Sequence, residues 1–194
     1  SGICIGLAAT VTGENLAAAE SLPIINSSPY EVVILKGHIV SYGGQIEQLI
    51  QMVGAKAVEI GSATLAERYQ LSESLSERTV AGLWVVSHHT VQSRLMSFDT
   101  FLKICHKHSV PVVVDAASEY DLKFFFEHGA DLVIYSGHKF LSGPTSGIIA
   151  GKLPLIRAAY MHQTSGIGRV MKVGKESIVG VIAAIQRWKL MDHK

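Results

Sequence analysis

Six short apolar runs rich in Val and Ile recur along the chain, at residues 31–35, 57–60, 83–86, 110–114, 132–135 and 147–150, each bounded by turn-forming residues. Uninterrupted runs of this length are the signature of strands buried on both faces, as in a parallel sheet. Between most of them the apolar positions fall at helical spacing, at 44–53, 97–108 and 119–128, and Gly129 stands where a helix C-cap is expected. Alternating strand and helix predict an α/β fold with a mostly parallel sheet and helices on both faces. The last two runs break the rhythm, because the Gly/Pro/Ser-rich link between them is too short for a crossover helix. That pair is either antiparallel or not adjacent. Residues 62–79 are polar and Ser/Glu-rich and read as a surface connection. Helical patterns at 1–12 and 177–190 run up against the two ends, so the chain reads as a piece of something longer.

Composition narrows the classes. With 194 residues and 48% hydrophobic content, the chain can bury one continuous core. Seventeen Lys and Arg stand against sixteen Asp and Glu, which argues against a surface built for a polyanion, so nucleic acid is not expected as a partner. Cys4 and Cys105 belong to no CxxC or Cys/His ligand pair; both read as core thiols in a reduced cytoplasm, and no metal is implied. The first dozen residues lack a basic n-region, and no apolar run reaches the ~18 residues of a membrane span.

In open α/β sheets, ligands bind beyond the carboxyl ends of the strands. Asp115-Ala116-Ala117-Ser118 follows one predicted strand and Ser136-Gly137-His138-Lys139 the next. Alone, the Asp reads as a cap and the Lys as a solvated loop cation. Together they fit pyridoxal phosphate (PLP) chemistry, which needs an amine to bind the aldehyde and an acid to keep the ring nitrogen protonated. Ala117 is small enough to let a flat ring lie against the strand end, and residues 140–147 form a rigid loop with hydroxyl and amide donors suited to a phosphate.

Asp115-Ala116-Ala117, Ser136-Gly137-His138-Lys139 and Gly143-Pro144-Thr145-Ser146-Gly147 resemble the matching segments of fold-type I PLP-dependent enzymes related to selenocysteine synthase. The resemblance extends to Ser1-Gly2, Lys36-Gly37-His38, residues 87–92 and residues 168–176, and points to the branch containing D-glucosaminate-6-phosphate ammonia-lyase. It implies that residues 1–194 are the large PLP-binding domain of a transferase-like fold, without the N-terminal arm and C-terminal small domain that family members carry. It further implies a Schiff-base role for Lys139, a ring-nitrogen partner in Asp115, and cofactor contacts from His38, His89, Gln92, Ser1, Gly2, Ser136 and His138. Arg169, Lys172 and Lys175 precede the last helical pattern and form a basic cluster, expected to bind a substrate phosphate or carboxylate. The expected activity is a carbon–nitrogen lyase reaction on a 2-amino sugar acid phosphate, in a homodimer or larger homo-oligomer. Residues 160–168, rich in Gly, Ser and Thr, are expected to form a loop near the subunit boundary. The alternatives are a selenium or sulfur transferase on seryl-tRNA and a non-catalytic protein of the same fold.

Overall fold

The computed structural model describes residues 1–25, 29–41, 43–90 and 94–191. Along the chain, α1 (Gly2–Thr12) and α2 (Leu16–Ser21) lead into β1 (Tyr30–Leu35), α3 (Ile46–Gln51), β2 (Ala55–Ile60) and α4 (Arg68–Ser74). There follow β3 (Thr79–Val85), α5 (Phe98–Lys107), β4 (Val112–Asp115), α6 (Phe124–Glu127), β5 (Leu132–Ser136), β6 (Gly147–Gly151), α7 (Leu153–Thr164) and α8 (Lys175–Leu190). The strands form one sheet in the order β2-β1-β3-β4-β5-β6. All neighbours are parallel except β5 and β6, so the last two predicted runs are adjacent and antiparallel.

The two-residue period of the strands sorts side chains onto two faces, each with its own core. Val33, Leu35, Val112, Val114, Val133 and Tyr135 pack under α4, α5 and α6 with Leu71, Phe101 and Phe125. Val32, Ile34, Val113, Leu132 and Ile134 pack under α1 and α3 with Cys4, Leu7, Ile46 and Ile50. Full burial on both faces is why these strands read as unbroken apolar runs. Both cysteines are core residues, and burial pushes the Cys105 thiol up to about 12, outside the range of a reactive thiolate.

Three expectations need correction. Residues 62–79 are not merely a connection, for they hold α4 and the start of β3. A capping box between Glu67 and Gln70 opens α4, and its Leu71 is fully buried. The helix expected at 119–128 is only the single turn of α6. The Asp121 carboxylate accepts from the N–H groups of Lys123 at 2.8 Å and Phe124 at 3.2 Å, so it fixes the start there. Gly129 does close that turn, with φ of 102°. Finally, residues 160–168 are not a loop: Tyr160 to Thr164 complete α7, and Ile167–Met171 is a 3-10 turn.

Candidate active site

Because β1 to β5 run the same way, their carboxyl ends open on one edge. There an open cleft of about 570 Å³ is lined by Asp115, Ala117 and Ser118 after β4, and by Ser136, His138 and Lys139 after β5. The cleft is completed by Ser1, Gly2 and Ile3 of α1, by Ser87, His88 and His89 after β3, and by Thr145 to Gly147. Asp115 and Lys139, 24 positions apart in the chain, thus share one cavity. Asp115 is buried, and its Oδ1 accepts from the Ala117 N–H at 3.3 Å. Lys139 is exposed to the cleft, and its Nζ donates to Ser118 Oγ at 2.8 Å.

The backbone that carries Lys139 is tightly fastened. The Gly137 N–H donates to the Ser146 carbonyl at 2.9 Å, Gly143 N–H to the Gly137 carbonyl at 2.8 Å, and Ser142 N–H to the Lys139 carbonyl at 2.9 Å. A Cβ at Gly137 would collide with Ser146 Oγ, so only glycine permits this close approach. From outside, α8 braces the loop: Gly180 lies against the Pro144 ring, and Arg187 donates to the Leu141 carbonyl at 3.2 Å.

Other candidates fall into three groups. Ser136 and His138 lie side by side, Oγ to Nδ1 at 2.9 Å, on the cleft wall, and the His89 ring stands 3.9 Å from that of His88. Lys172 lines a smaller cavity that shares Ser1, Gly2 and Gly147 with the cleft, whereas Arg169 and Lys175 are exposed and line neither. His38 does not reach the cleft wall either. It is buried edge-on against Trp84, with its Nδ1 accepting from the Val85 N–H at 3.3 Å, and burial lowers its pKa to about 4. This neutral ring ties the turn after β1 to the end of β3 and is not placed to stack on a ligand in the cleft. Gln92 lies outside the described residues. Sequence reasoning passed over His88 and Ser118, although the strand-end rule points to both.

The donor set fits PLP. An amine and a buried carboxylate face one cavity, Ala117 leaves room beside the strand end, and Ser136 and Ser146 line the same cleft as the N-terminus of α1. The first turn of α1 has amides without acceptors inside the helix, and the Ser1 side chain makes no cap bond, so this end suits a phosphate. In these surroundings PLP would be held by Lys139 at its aldehyde, Asp115 at its ring nitrogen and the α1 end at its phosphate.

Comparison with known proteins agrees with this geometry. Residues 5–193 match the family described as SelA: L-seryl-tRNA selenium transferase. A D-glucosaminate-6-phosphate ammonia lyase of Salmonella typhimurium is 42% identical over 97% of this chain and 51% of its own length. A 5'-C-glycyluridine monooxygenase-decarboxylase of a Streptomyces species is 41% identical over the whole chain and 49% of its own. The solved structure of a D-glucosaminate-6-phosphate ammonia-lyase superposes with a TM-score of 0.94 at 40% identity, covering 98% of this chain and 52% of that one. The chain therefore spans about half the length of the relatives it matches. With the Asp115/Lys139 cleft at the carboxyl edge of a doubly covered sheet and a family match along nearly its full length, this chain belongs to the SelA family of fold-type I PLP-dependent enzymes.

Proposed function

We propose that residues 1–194 form the large, PLP-binding domain of a carbon–nitrogen lyase acting on a 2-amino sugar acid phosphate of the D-glucosaminate 6-phosphate kind. The observation that carries this reading is the cleft shared by Asp115 and Lys139. Similarity to the Salmonella ammonia lyase selects the reaction class. The reading includes an arm before this domain and a smaller domain after it in the complete protein; the chain matches about half the length of the Salmonella relative.

PLP, when bound, supplies an electron sink beside the amine-bearing carbon of the substrate. Lys139 Nζ takes the proton from that carbon and is the donor for its return. Asp115 holds a proton at the pyridine nitrogen from a buried position that excludes water. The α1 amides, Ser136 and His138 bind the cofactor phosphate, and His88 and His89 line the side from which substrate enters. Lys172 binds the substrate's anionic end, with Arg169 and Lys175 adding positive charge nearby. Loss of the neighbouring hydroxyl and hydrolysis of the carbon–nitrogen bond give ammonia and a 2-keto-3-deoxy acid as net products.

The reading includes a cytoplasmic homodimer or larger homo-oligomer. Exposed apolar side chains at Tyr160, Val170 and Val179 support an assembly surface on the α7 and α8 side. Among the described residues, no helix is long and apolar enough to cross a membrane. A transferase acting on seryl-tRNA is less well supported, because the formal charge of +1 leaves little for a phosphate backbone. The test is to incubate the complete protein with PLP and D-glucosaminate 6-phosphate and to measure products. Ammonia and 2-keto acid in equal amounts are expected. Carbon dioxide release with oxygen uptake, the chemistry named for the Streptomyces relative, would overturn the lyase reading.

A further inference from the structure

We propose that Ser118 is the positioning residue for the reactive amine of Lys139, holding Nζ against the Asp115 turn whenever the lysine is not joined to the cofactor. The proposal rests on the reading of Lys139 as the PLP-linked lysine. Its warrant is a contact that this reading does not require: Lys139 Nζ donates to Ser118 Oγ at 2.8 Å across the cleft, from 21 residues away in the chain.

Both sides of this contact are fixed independently of it. Ser118 sits in a turn closed by the Glu119 N–H on the Ala116 carbonyl at 3.0 Å. The same turn is stapled to β5 by the Ala116 N–H on the Ile134 carbonyl at 2.9 Å, and to Asp115 through Ala117. The Lys139 backbone is held by its own loop bonds and by α8. The hydroxyl and the amine root are thus preorganised relative to each other, and the long lysine side chain loses its freedom to a partner already in place.

The kind of partner matters. A carboxylate, such as Asp131 at 2.6 Å from Lys152, ties an ammonium into an ion pair. A serine hydroxyl is neutral and can both accept and donate, so it orients the nitrogen through a hydrogen bond alone. The consequence is greatest where the amine must act as a nucleophile. In PLP capture the Nζ lone pair bonds to the aldehyde carbon, a C=N bond replaces a C=O bond, and water leaves with the aldehyde oxygen and two amine hydrogens. An amine held at the cleft wall enters that step already oriented.

The test compares wild type, Ser118→Ala and Ser118→Thr of the complete protein, each stripped of PLP and mixed with PLP in a stopped-flow spectrometer. The concentration-independent step that follows binding reports attack by Lys139. Ser118→Ala should slow it roughly tenfold, the worth of one hydrogen bond to an ammonium or amine. Ser118→Thr, which keeps the hydroxyl, should stay within about threefold of wild type. Thermal melting of the stripped proteins separates this from a folding defect, and the three should melt alike. Equal capture rates for wild type and Ser118→Ala would overturn the proposal while leaving the PLP reading intact, as would a Ser118→Thr as slow as Ser118→Ala. Failure of wild type to join PLP through Lys139 would overturn both.

Discussion

Two sets of aspartate and lysine lie at opposite edges of the same sheet, one closed into an ion pair and the other open to a cleft. At the amino edge, Asp131 is 4% exposed and receives the Val112 N–H at 2.7 Å, the His106 ring at 2.8 Å and the Lys152 ammonium at 2.6 Å. Burial works against its charge, but those three partners outweigh it and hold the carboxyl below its ordinary range. Glu31, at the same edge, is held likewise by Ser76, Lys56 and Arg78. At the carboxyl edge, Asp115 is as deeply buried, yet Lys139 ends on a hydroxyl and opens to a cavity. Similar residues, at similar separation along the chain, therefore form a staple at one end and, in the proposed function, the reaction centre at the other.

The comparison breaks most sharply under reciprocal substitution. Asp115→Ala should lower kcat by roughly 10²- to 10³-fold, the range for loss of one preorganised electrostatic partner of the transition state, while Asp131→Ala should leave kcat within about threefold. Steady-state kinetics on the two variants would check this, and equal losses would erase the distinction. Asp131→Ala strands the buried Val112 N–H and should cost about 2–3 kcal/mol in urea unfolding.

A second, smaller effect tests the neutral core histidine. His38 has a folded pKa of about 4 against an ordinary value near 6.5, so the unfolded chain binds the proton first. Stability is complete above the unfolded value and is lost as pH falls between the two. From pH 7 to pH 5 the loss amounts to about 2 kcal/mol. His162, lowered by burial, adds to the same slope, whereas Asp131 and Glu31 remain ionised and lose their contribution only at lower pH. His38→Gln should flatten the slope measured by urea unfolding across that window; an unchanged slope would assign it elsewhere. The smallest effect is expected at Lys152, which is 59% exposed. Lys152→Ala should cost less than about 1 kcal/mol, because a solvated partner adds little.

How far the sequence could be read follows from what each segment buries. Strands covered on both faces announced themselves, and so did α5, whose Ser97 cap and apolar stripe sit where the spacing put them. By contrast α4 buries one side chain, Leu71, and α7 buries Ala158, Ala159 and His162, so neither carries a large apolar stripe. The capping box of α4 begins with Glu67 instead of a hydroxyl residue, which hid its start. The meeting of Asp115 and Lys139 in one cleft was legible because strand ends converge by topology, while Ser136 and His138, which line the same cleft, were indicated by the family resemblance. His38 was not, since a flat polar ring after a strand fits a cleft wall and a core equally well, and only the buried contact with Trp84 separates them. The strand-end rule reaches Ser118 as a neighbour of Asp115, but its contact with Lys139, 21 residues distant, lies beyond any local pattern.

In the proposed function Lys139, and not the lysine of the staple, is the cofactor-bearing amine. Borohydride reduction of the PLP-loaded complete protein, followed by proteolysis and peptide mass spectrometry, tests it most directly. A pyridoxyl adduct on the peptide containing Lys139, lost in Lys139→Ala and retained in Lys152→Ala, is the predicted result. An adduct on Lys152 or on other surface lysines, with Lys139 unmodified, would contradict it.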